Sequence, residues 1–106
     1  MNDQASPRVA LVTGGSRGIG AAIVRRLAKD GFAVAINYAS SAAEADALAG
    51  EVRQTGGRAL AVRADVAKPD DVRAMFDAVH GEFGRIDVLV NSAGVQIGRA
   101  SCRERV

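Results

Sequence analysis

The chain has 106 residues, of which 48% are hydrophobic and 25% charged, proportions typical of one small globular domain. The net charge of +2 comes from the last ten residues, because residues 1–96 hold eleven basic and eleven acidic side chains. With no basic stripe and a single cysteine, the composition speaks against nucleic-acid binding, an internal disulfide and a cysteine metal cluster. No apolar run is long enough to span a membrane, and the N-terminus does not have the pattern of a signal peptide. We therefore expect a cytoplasmic protein with no metal, nucleic-acid or membrane partner.

Short apolar runs alternate with segments of helical periodicity, which is typical of βαβ units with parallel strands. The apolar runs predict strands at residues 9–12, 33–36, 60–62 and 86–90. We expect the second helix to open on a capping box from Ser41 to Glu44 and the third to begin at Pro69. Glycines are expected to end the three helices, at Gly31, Gly56-Gly57 and Gly84. The predicted buried faces are Ile19, Ile23 and Leu27; Ala45, Leu48, Ala49 and Val52; and Val72, Phe76, Val79 and Phe83.

Right-handed crossovers between these elements predict the strand order 3-2-1-4. That order is the first half of a Rossmann-type α/β fold, a doubly wound parallel sheet, and we assign it to a partial dinucleotide-binding domain at residues 1–96. Residues 97–106 break the pattern, with no periodicity and little apolar mass. They also resemble the translation of a common sequencing adapter, so we expect them to be non-native. A natural disordered tail is the alternative.

A glycine-rich turn lies between the first strand and the first helix. Gly14 permits a tight turn, Gly18 lets the backbone approach a diphosphate, and Gly20 allows close packing of the helix on the strand. The amides and the dipole at the helix N-terminus favour an anion. An ordinary glycine-rich turn is the alternative, but the strand before it and the helix after it weigh against that. We predict that a dinucleotide diphosphate binds here, at Gly14, Ser16, Arg17, Gly18, Ile19 and Gly20.

The end of the second strand predicts which dinucleotide binds. An acidic residue there would accept hydrogen bonds from the adenosine ribose and repel a 2′-phosphate, but no acid occurs between Gly31 and Ala43. Arg17 adds positive charge nearby, and serine hydroxyls with the next helix N-terminus offer donors to a phosphate. The alternatives are that Ser41 only caps its helix and that Arg17 is a solvated surface residue. We predict NADP(H) over NAD(H), with contacts from Asn37, Tyr38, Ser40 and Ser41.

Two further segments follow strands at the carboxyl edge, where ligands bind in such sheets. After the third strand, Asp65 can accept a hydrogen bond from the adenine amino group while Val66 packs on the ring. After the fourth strand, small residues leave room for the nicotinamide ribose, and we place Asn91, Ala93 and Gly94 in the site. Structural alternatives stay open for both segments. Asp65 would then be a loop residue that helps to start the third helix, and Asn91 a brace for the neighbouring backbone.

Together these motifs resemble the short-chain dehydrogenase/reductase family over residues 7–96. The resemblance rests on Thr13-Gly14-x-x-x-Gly18-Ile19-Gly20, Asp65-Val66, Phe83-Gly84-Arg85-Ile86-Asp87-Val88-Leu89-Val90 and Asn91-Ser92-Ala93-Gly94. Arg17 and Asn37-Tyr38 look like the NADP(H)-using branch that includes 3-oxoacyl-carrier-protein reductases. Ser92 departs from the family, which usually has a second Asn there. A small polar residue is retained, so we expect the change to be tolerated.

The resemblance implies an oxidoreductase that transfers a hydride between NADP(H) and the carbonyl or alcohol carbon of a small molecule, in a homo-oligomeric full-length protein. In the family, a Tyr exchanges the proton, a Lys four residues later assists that Tyr, and a Ser steadies the substrate oxygen. The one tyrosine here, Tyr38, is followed four positions later by Ala42, so no catalytic residue can be assigned. We therefore expect a truncated, inactive cofactor-binding half. A non-catalytic nucleotide-binding regulatory module is the alternative. A Rossmann-like methyltransferase is a third interpretation, which the neutral Asn37 disfavours.

Overall fold

The computed structural model of the chain describes residues 8–14 and 18–92. In chain order its elements are β1 (Val9–Thr13), α1 (Gly18–Lys29), β2 (Ala33–Tyr38), α2 (Ala42–Gln54), β3 (Ala59–Arg63), α3 (Pro69–Phe83) and β4 (Val88–Asn91). This alternation confirms the predicted βαβ organisation. Several predictions lie outside the described residues, namely those for the tail at 97–106 and for Ser16, Arg17, Ala93 and Gly94.

The four strands form one sheet in the order β3-β2-β1-β4, and every neighbouring pair is parallel. Both the strand order and the Rossmann-type fold are therefore as predicted. The chain moves outward from β1 to β2 and β3, then crosses back to place β4 on the other side of β1. The carboxyl ends of β1 and β4 thus flank the point where the strand order reverses, which is where α/β sheets bind ligands.

The helices α1 and α2 cover one face of the sheet. They pack against strand residues that include Val12 of β1 and Ile36 of β2. On the solvent side, Arg25 Nε donates to Glu51 Oε2 at 2.8 Å and so links the two helices. Both side chains of that pair are exposed, which limits its contribution to about 1 kcal/mol or less. The predicted stripe of α2 is confirmed, because all four residues are buried: Ala45, Leu48, Ala49 and Val52.

The buried face of α1 differs from the prediction. Ile19 is 59% exposed, although the four-residue spacing placed it in the apolar stripe. The start of α1 packs on the sheet through small residues, so its contact face begins one or two positions after Ile19. Ile23 and Leu27 are only partly buried against the cluster. The fully buried positions of α1 are Gly20, Ala21 and Val24.

On the described part of the chain, the other face of the sheet is covered by α3. Met75 and Val79 are buried there, in a cluster that includes Leu11 of β1. The helix packs on β2 and β3. Leu89 of β4, which lies opposite Leu11 in the strand register, is consequently 55% exposed. The other predicted residues of the α3 face are partly buried against the cluster: Val72, Phe76 and Phe83.

The strand β4 begins at Val88, two residues later than predicted, because Asp87 pairs with β1 through its side chain. The Val9 N–H donates to Asp87 Oδ2 at 2.8 Å, and the Asp87 N–H donates to Val9 O at 2.8 Å. The carboxylate therefore takes the place that a backbone carbonyl has in a regular ladder. Arg85 Nη2 donates to Asp87 Oδ1 at 2.9 Å. The bond from Arg85, followed by the bond from Val9, holds the pKa of Asp87 below its ordinary value.

The helices begin and end at or near the predicted residues, and one predicted capping interaction is missing. Pro69 opens α3, and Gly84 ends it with a φ of 84° in the left-handed region. Ser41 is the N-cap residue of α2, as predicted, but the serine half of the predicted capping box is wrong, because the Ser41 side chain makes no capping hydrogen bond. The Ser41 ψ of 59° lies outside the extended region in which an N-cap oxygen faces the first free amides. Within residues 8–14 and 18–92, no helix has the length and hydrophobicity needed to cross a bilayer.

Candidate nucleotide-binding site

Polar side chains meet at the carboxyl ends of three adjacent strands. Thr13 is the last residue of β1, and Asn37 is the next to last of β2. Asn91 is the last residue of β4, and Ser92 follows it in the chain. Because parallel strands run the same way, these ends form one edge of the sheet beside the start of α1. The described residues contain three buried polar side chains, and all three lie at this edge: Thr13, Asn37 and Ser92.

The turn from β1 into α1 combines glycine backbone with a helix N-terminus. Gly14 has a φ of 65° and Gly18 a φ of 62°, a region that residues with side chains rarely adopt. A Cβ built on Gly18 would meet no atom of residues 8–14 and 18–92 within 4 Å, so Gly18 faces open space in the described part of the chain. The first turn of α1 carries no acidic side chain. The partial positive charge at this helix end is therefore available to an anionic group.

Asn37 connects the glycine turn with the end of β3. The Gly14 N–H donates to Asn37 Oδ1 at 3.1 Å, and Asn37 Nδ2 donates to Ala64 O at 3.1 Å. Val62 O lies 3.5 Å from the same Nδ2. The side chain is turned into the protein, since Asn37 is 2% exposed. Its carboxamide thus links three consecutive strands of the sheet at the edge where the nucleotide is predicted.

Side chains at the end of β4 hold the glycine turn from the opposite side. Ser92 Oγ donates a hydrogen bond to Thr13 O and lies 3.3 Å from Gly14 O. Thr13 Oγ1 donates to Asn91 Oδ1 at 3.0 Å. This contact fits the structural alternative for Asn91, a brace for its neighbours. Contact between Asn91 and the nicotinamide ribose stays a prediction.

Asp65 and Val66 lie in the exposed loop between β3 and α3. Asp65 Oδ1 accepts the Ala67 N–H at 2.9 Å, and the Asp65 N–H donates to Asp71 Oδ2 at 2.9 Å. Because Asp71 belongs to the first turn of α3, these bonds fit the alternative that Asp65 helps to start that helix. The adenine contact predicted for Asp65 stays a prediction.

The remaining predicted residues surround the edge with different exposures. Tyr38 and Ser41 are half-buried, and Ser40 is exposed. Ile19 is 59% exposed at the start of α1, and Val66 is 45% exposed after β3. Exposed large apolar side chains that follow strand ends at this edge are suited to contact with the flat rings of a ligand.

Sequence reasoning missed the inward orientation of Asn37 and assigned no role to Ala64. A signal was present, because Asn37 follows four apolar residues in a strand of a parallel sheet, where both faces are covered. A polar side chain at such a position needs hydrogen-bond partners inside the protein. The partners themselves are backbone groups of distant residues, which no local pattern reveals.

The parallel sheet, its strand order and the glycine turn at the reversal point define a protein of the Rossmann-type α/β class. A family model of short chain dehydrogenases matches residues 8–104, and the chain belongs to that family. An uncharacterized oxidoreductase of Methylorubrum extorquens is 54% identical over 88 residues, which are 83% of this chain and 36% of the relative. A 3-oxoacyl-[acyl-carrier-protein] reductase of Staphylococcus epidermidis is 49% identical over 86 residues, 81% of this chain and 35% of the relative.

A similar solved structure is that of a short chain dehydrogenase from Burkholderia cenocepacia in complex with NADP. It has a TM-score of 0.80 and 52% identity, and the match covers 85% of this chain and 37% of that one. The chain therefore spans a little over a third of the length of these relatives. In the Burkholderia cenocepacia structure, the matched portion has the same fold.

Proposed function

We propose that this chain is the NADP(H)-binding half of an oxidoreductase that transfers a hydride between NADP(H) and the carbonyl or alcohol carbon of a small molecule. The observation that carries the proposal is the start of α1. A glycine turn with open space at Gly18 leads there into a helix whose first turn lacks acidic side chains, at the reversal point of the sheet. The residues fit a nucleotide diphosphate, because backbone amides and the helix dipole both favour a negatively charged group.

The neutral end of β2 supports NADP(H) rather than NAD(H). Residues 37–41 carry hydroxyl and amide groups and no carboxylate, so nothing in this segment repels a 2′-phosphate. Ser40 is exposed and Ser41 half-buried, next to the N-terminus of α2. Their hydroxyls and the helix amides can donate to phosphate oxygens. Arg17, which lies outside the described residues, would add a charge-assisted bond.

When bound, the nicotinamide supplies or accepts the hydride, and this chain binds and orients it. The exposed Ile19 and Val66 would cover apolar parts of the dinucleotide and keep water from them. Asn91 and Ser92 fix the end of β4 against β1, which sets the position of the backbone beneath the nicotinamide ribose. We place the residues that handle the substrate and its proton outside this sequence, because its one tyrosine lacks the companion lysine. The oxidoreductases among the relatives do not favour the regulatory-module alternative.

Nucleotide titration tests this proposal. We would titrate NADP+ and NAD+ into the 106-residue chain and into a chimera in which residues 8–92 replace the matching part of the Burkholderia cenocepacia protein. The chimera provides the rest of a folded short chain dehydrogenase. We expect both proteins to bind NADP+ more tightly than NAD+, with weaker binding in the isolated chain. S-adenosylmethionine serves as a control ligand, and it should not bind.

Two results would contradict the proposal. A folded chimera that binds neither dinucleotide would remove the cofactor-binding role. A chimera that prefers NAD+ by about 10-fold or more would reverse the cofactor assignment, since that ratio corresponds to about 1.4 kcal/mol of differential binding. Circular dichroism and thermal unfolding of the same samples separate a failure to bind from a failure to fold.

A further inference from the structure

Asn37 is the residue at the end of β2 whose surroundings differ most from those expected for a phosphate contact. We propose that Asn37 is a positioning residue, which fixes the Gly14 peptide for the diphosphate and does not discriminate between NADP(H) and NAD(H). The inference rests on the proposed function, because it concerns the same nucleotide site. It gives a different reason for the neutral residue at this position, namely the need for both a donor and an acceptor on one side chain.

The backbone around Asn37 dictates the polarity of each side-chain atom. The Gly14 N–H is a donor and requires an acceptor, which is Asn37 Oδ1 at 3.1 Å. The Ala64 carbonyl is an acceptor and requires a donor, which is Asn37 Nδ2 at 3.1 Å. A carboxamide provides an acceptor and a donor on one short planar group without a change of protonation, whereas an ionised carboxylate provides acceptors alone. At 2% exposure, Asn37 has no free surface for a phosphate.

An aspartate at position 37 would be unfavourable whichever dinucleotide is bound. A carboxylate accepts hydrogen bonds and donates none, so one of its oxygens would face the Ala64 and Val62 carbonyl oxygens, which lie 3.1 and 3.5 Å from Nδ2 in this structure. Repulsion from these two carbonyl oxygens pushes the ionised side chain out of its position, and the acceptor of the Gly14 N–H moves with it. Binding of the diphosphate, which both dinucleotides share, is therefore the property that Asn37 governs.

Discrimination must then come from side chains that reach the surface. Ser40 is exposed three residues further on, beside the N-terminus of α2. A negative charge at Ser40 can repel a 2′-phosphate without touching the Gly14 peptide. Ser40→Asp is therefore the matched contrast to Asn37→Asp, because both variants add one carboxylate to the same segment.

The experiment measures dissociation constants for NADP+ and NAD+ in the 106-residue chain and in the chimera that contains residues 8–92. Asn37→Asp is compared with Asn37→Ser, which keeps a hydrogen-bonding group without adding charge and serves if the aspartate variant does not fold. Val79→Ala, in the α3 core away from the site, controls for loss of stability alone. Hydrogen exchange at the Gly14 amide reports directly on the proposed brace.

We expect both Asn37 variants to weaken NADP+ and NAD+ binding by a similar factor of about 10 or more, with faster exchange at Gly14. Val79→Ala should lower the melting temperature while the affinity at a temperature where the protein is folded stays unchanged. Ser40→Asp should weaken NADP+ selectively. A selective loss of NADP+ in the Asn37 variants would overturn the inference, and so would affinities no weaker than those of Val79→Ala. If the folded wild-type chimera bound neither dinucleotide, that result would contradict the proposed function itself and not only the role of Asn37.

Discussion

Replacing Gly18 with alanine separates the cost of backbone strain from the cost of occupying the nucleotide site. Gly18 has a φ of 62° at the start of α1, and Gly84 has a φ of 84° at the end of α3. Among the residues that the structure describes, a Cβ at either position would meet no atom within 4 Å. Gly18→Ala and Gly84→Ala therefore carry the same penalty, that of a left-handed residue with a side chain, and neither adds a steric clash within the protein.

The expected magnitude follows from that conformation. A non-glycine residue in the left-handed region costs about 1–2 kcal/mol. The chimera has the length of the Burkholderia cenocepacia protein, of which this chain matches 37%. In a protein of about 150–250 residues each kcal/mol lowers the melting temperature by about 2–4 °C, so both variants should melt roughly 2–8 °C below the wild-type chimera. The open space at Gly18 is where we place the diphosphate, and a methyl group there would occupy part of it. Gly18→Ala should therefore lose about 10-fold or more in NADP+ affinity, which is about 1.4 kcal/mol, while Gly84→Ala keeps the wild-type affinity.

Thermal unfolding and NADP+ titration of the two variants in the chimera provide the assay. Gly50→Ala adds a control of opposite sign, because Gly50 lies inside α2 with open space where the alanine methyl group would lie, and alanine there should add about 0.5–1 kcal/mol. Equal melting temperatures with unequal affinities are the expected result for Gly18 and Gly84. If Gly18→Ala bound NADP+ as tightly as Gly84→Ala, the diphosphate would not lie against Gly18 and the reasoning would be refuted.

Three further predictions concern β4 and the residues beside it. Because Arg85 and the Val9 amide lower the pKa of Asp87 in the folded state, the ionised carboxylate stabilises the fold. This contribution is complete above the unfolded carboxyl pKa of about 3.9 and is lost as the pH falls through the lower folded pKa. The free energy of unfolding in urea should therefore fall less steeply with acid pH in Asp87→Asn than in the wild type, and identical pH dependence would contradict this. Ser92→Ala should lower the free energy of unfolding by about 0.5–1.5 kcal/mol, because the Thr13 carbonyl loses the hydroxyl donor but keeps the Ser92 N–H at 3.2 Å, and an unchanged urea midpoint would argue against the hydroxyl bond. Leu89→Lys should raise the monomeric fraction of the 106-residue chain in size-exclusion chromatography, since Leu89 is 55% exposed on β4; a wild-type chain that is already monomeric would contradict this.

Hydrophobic periodicity predicted the sheet and α2 well and the start of α1 poorly. The strand order follows from short apolar runs and the handedness of crossovers, neither of which depends on side-chain detail. In α2 the apolar side chains are also the ones that face the sheet. At the start of α1 this link breaks, because Gly20 and Ala21 bring the helix close to the strands and leave the larger Ile19 59% exposed. An apolar residue beside a ligand site gives the same sequence signal as a core residue.

The hydrogen bonds at this edge of the sheet were harder to predict than the residues that meet there. Glycines and polar residues at strand ends predicted a nucleotide site at this edge, and the structure brings Gly14 and Asn37 together there, while binding itself stays a prediction. Asn37 bonds to the backbone of Gly14 and Ala64, which are 23 and 27 positions away in the chain. Asp87 likewise pairs with Val9, 78 positions away, and this bond moved the start of β4. Such contacts are set by strand register, which becomes visible only when the strands are placed side by side.

The distribution of buried polar groups argues that this edge was shaped for binding as well as for stability. Burying a hydroxyl or an amide costs free energy unless every polar atom finds a partner, so apolar side chains would be the simpler choice for a strand end. The described residues bury three polar side chains, all at this edge: Thr13, Asn37 and Ser92. Asn37 and Ser92 bond to the Thr13-Gly14 backbone, and the Thr13 hydroxyl donates to Asn91 Oδ1. The Gly14 N–H is held by Asn37 of β2 and the preceding Thr13 carbonyl by Ser92 after β4, so the peptide between Thr13 and Gly14 has little freedom to rotate. A turn fixed in this way loses its conformational entropy during folding, so a diphosphate that binds to it does not have to order it.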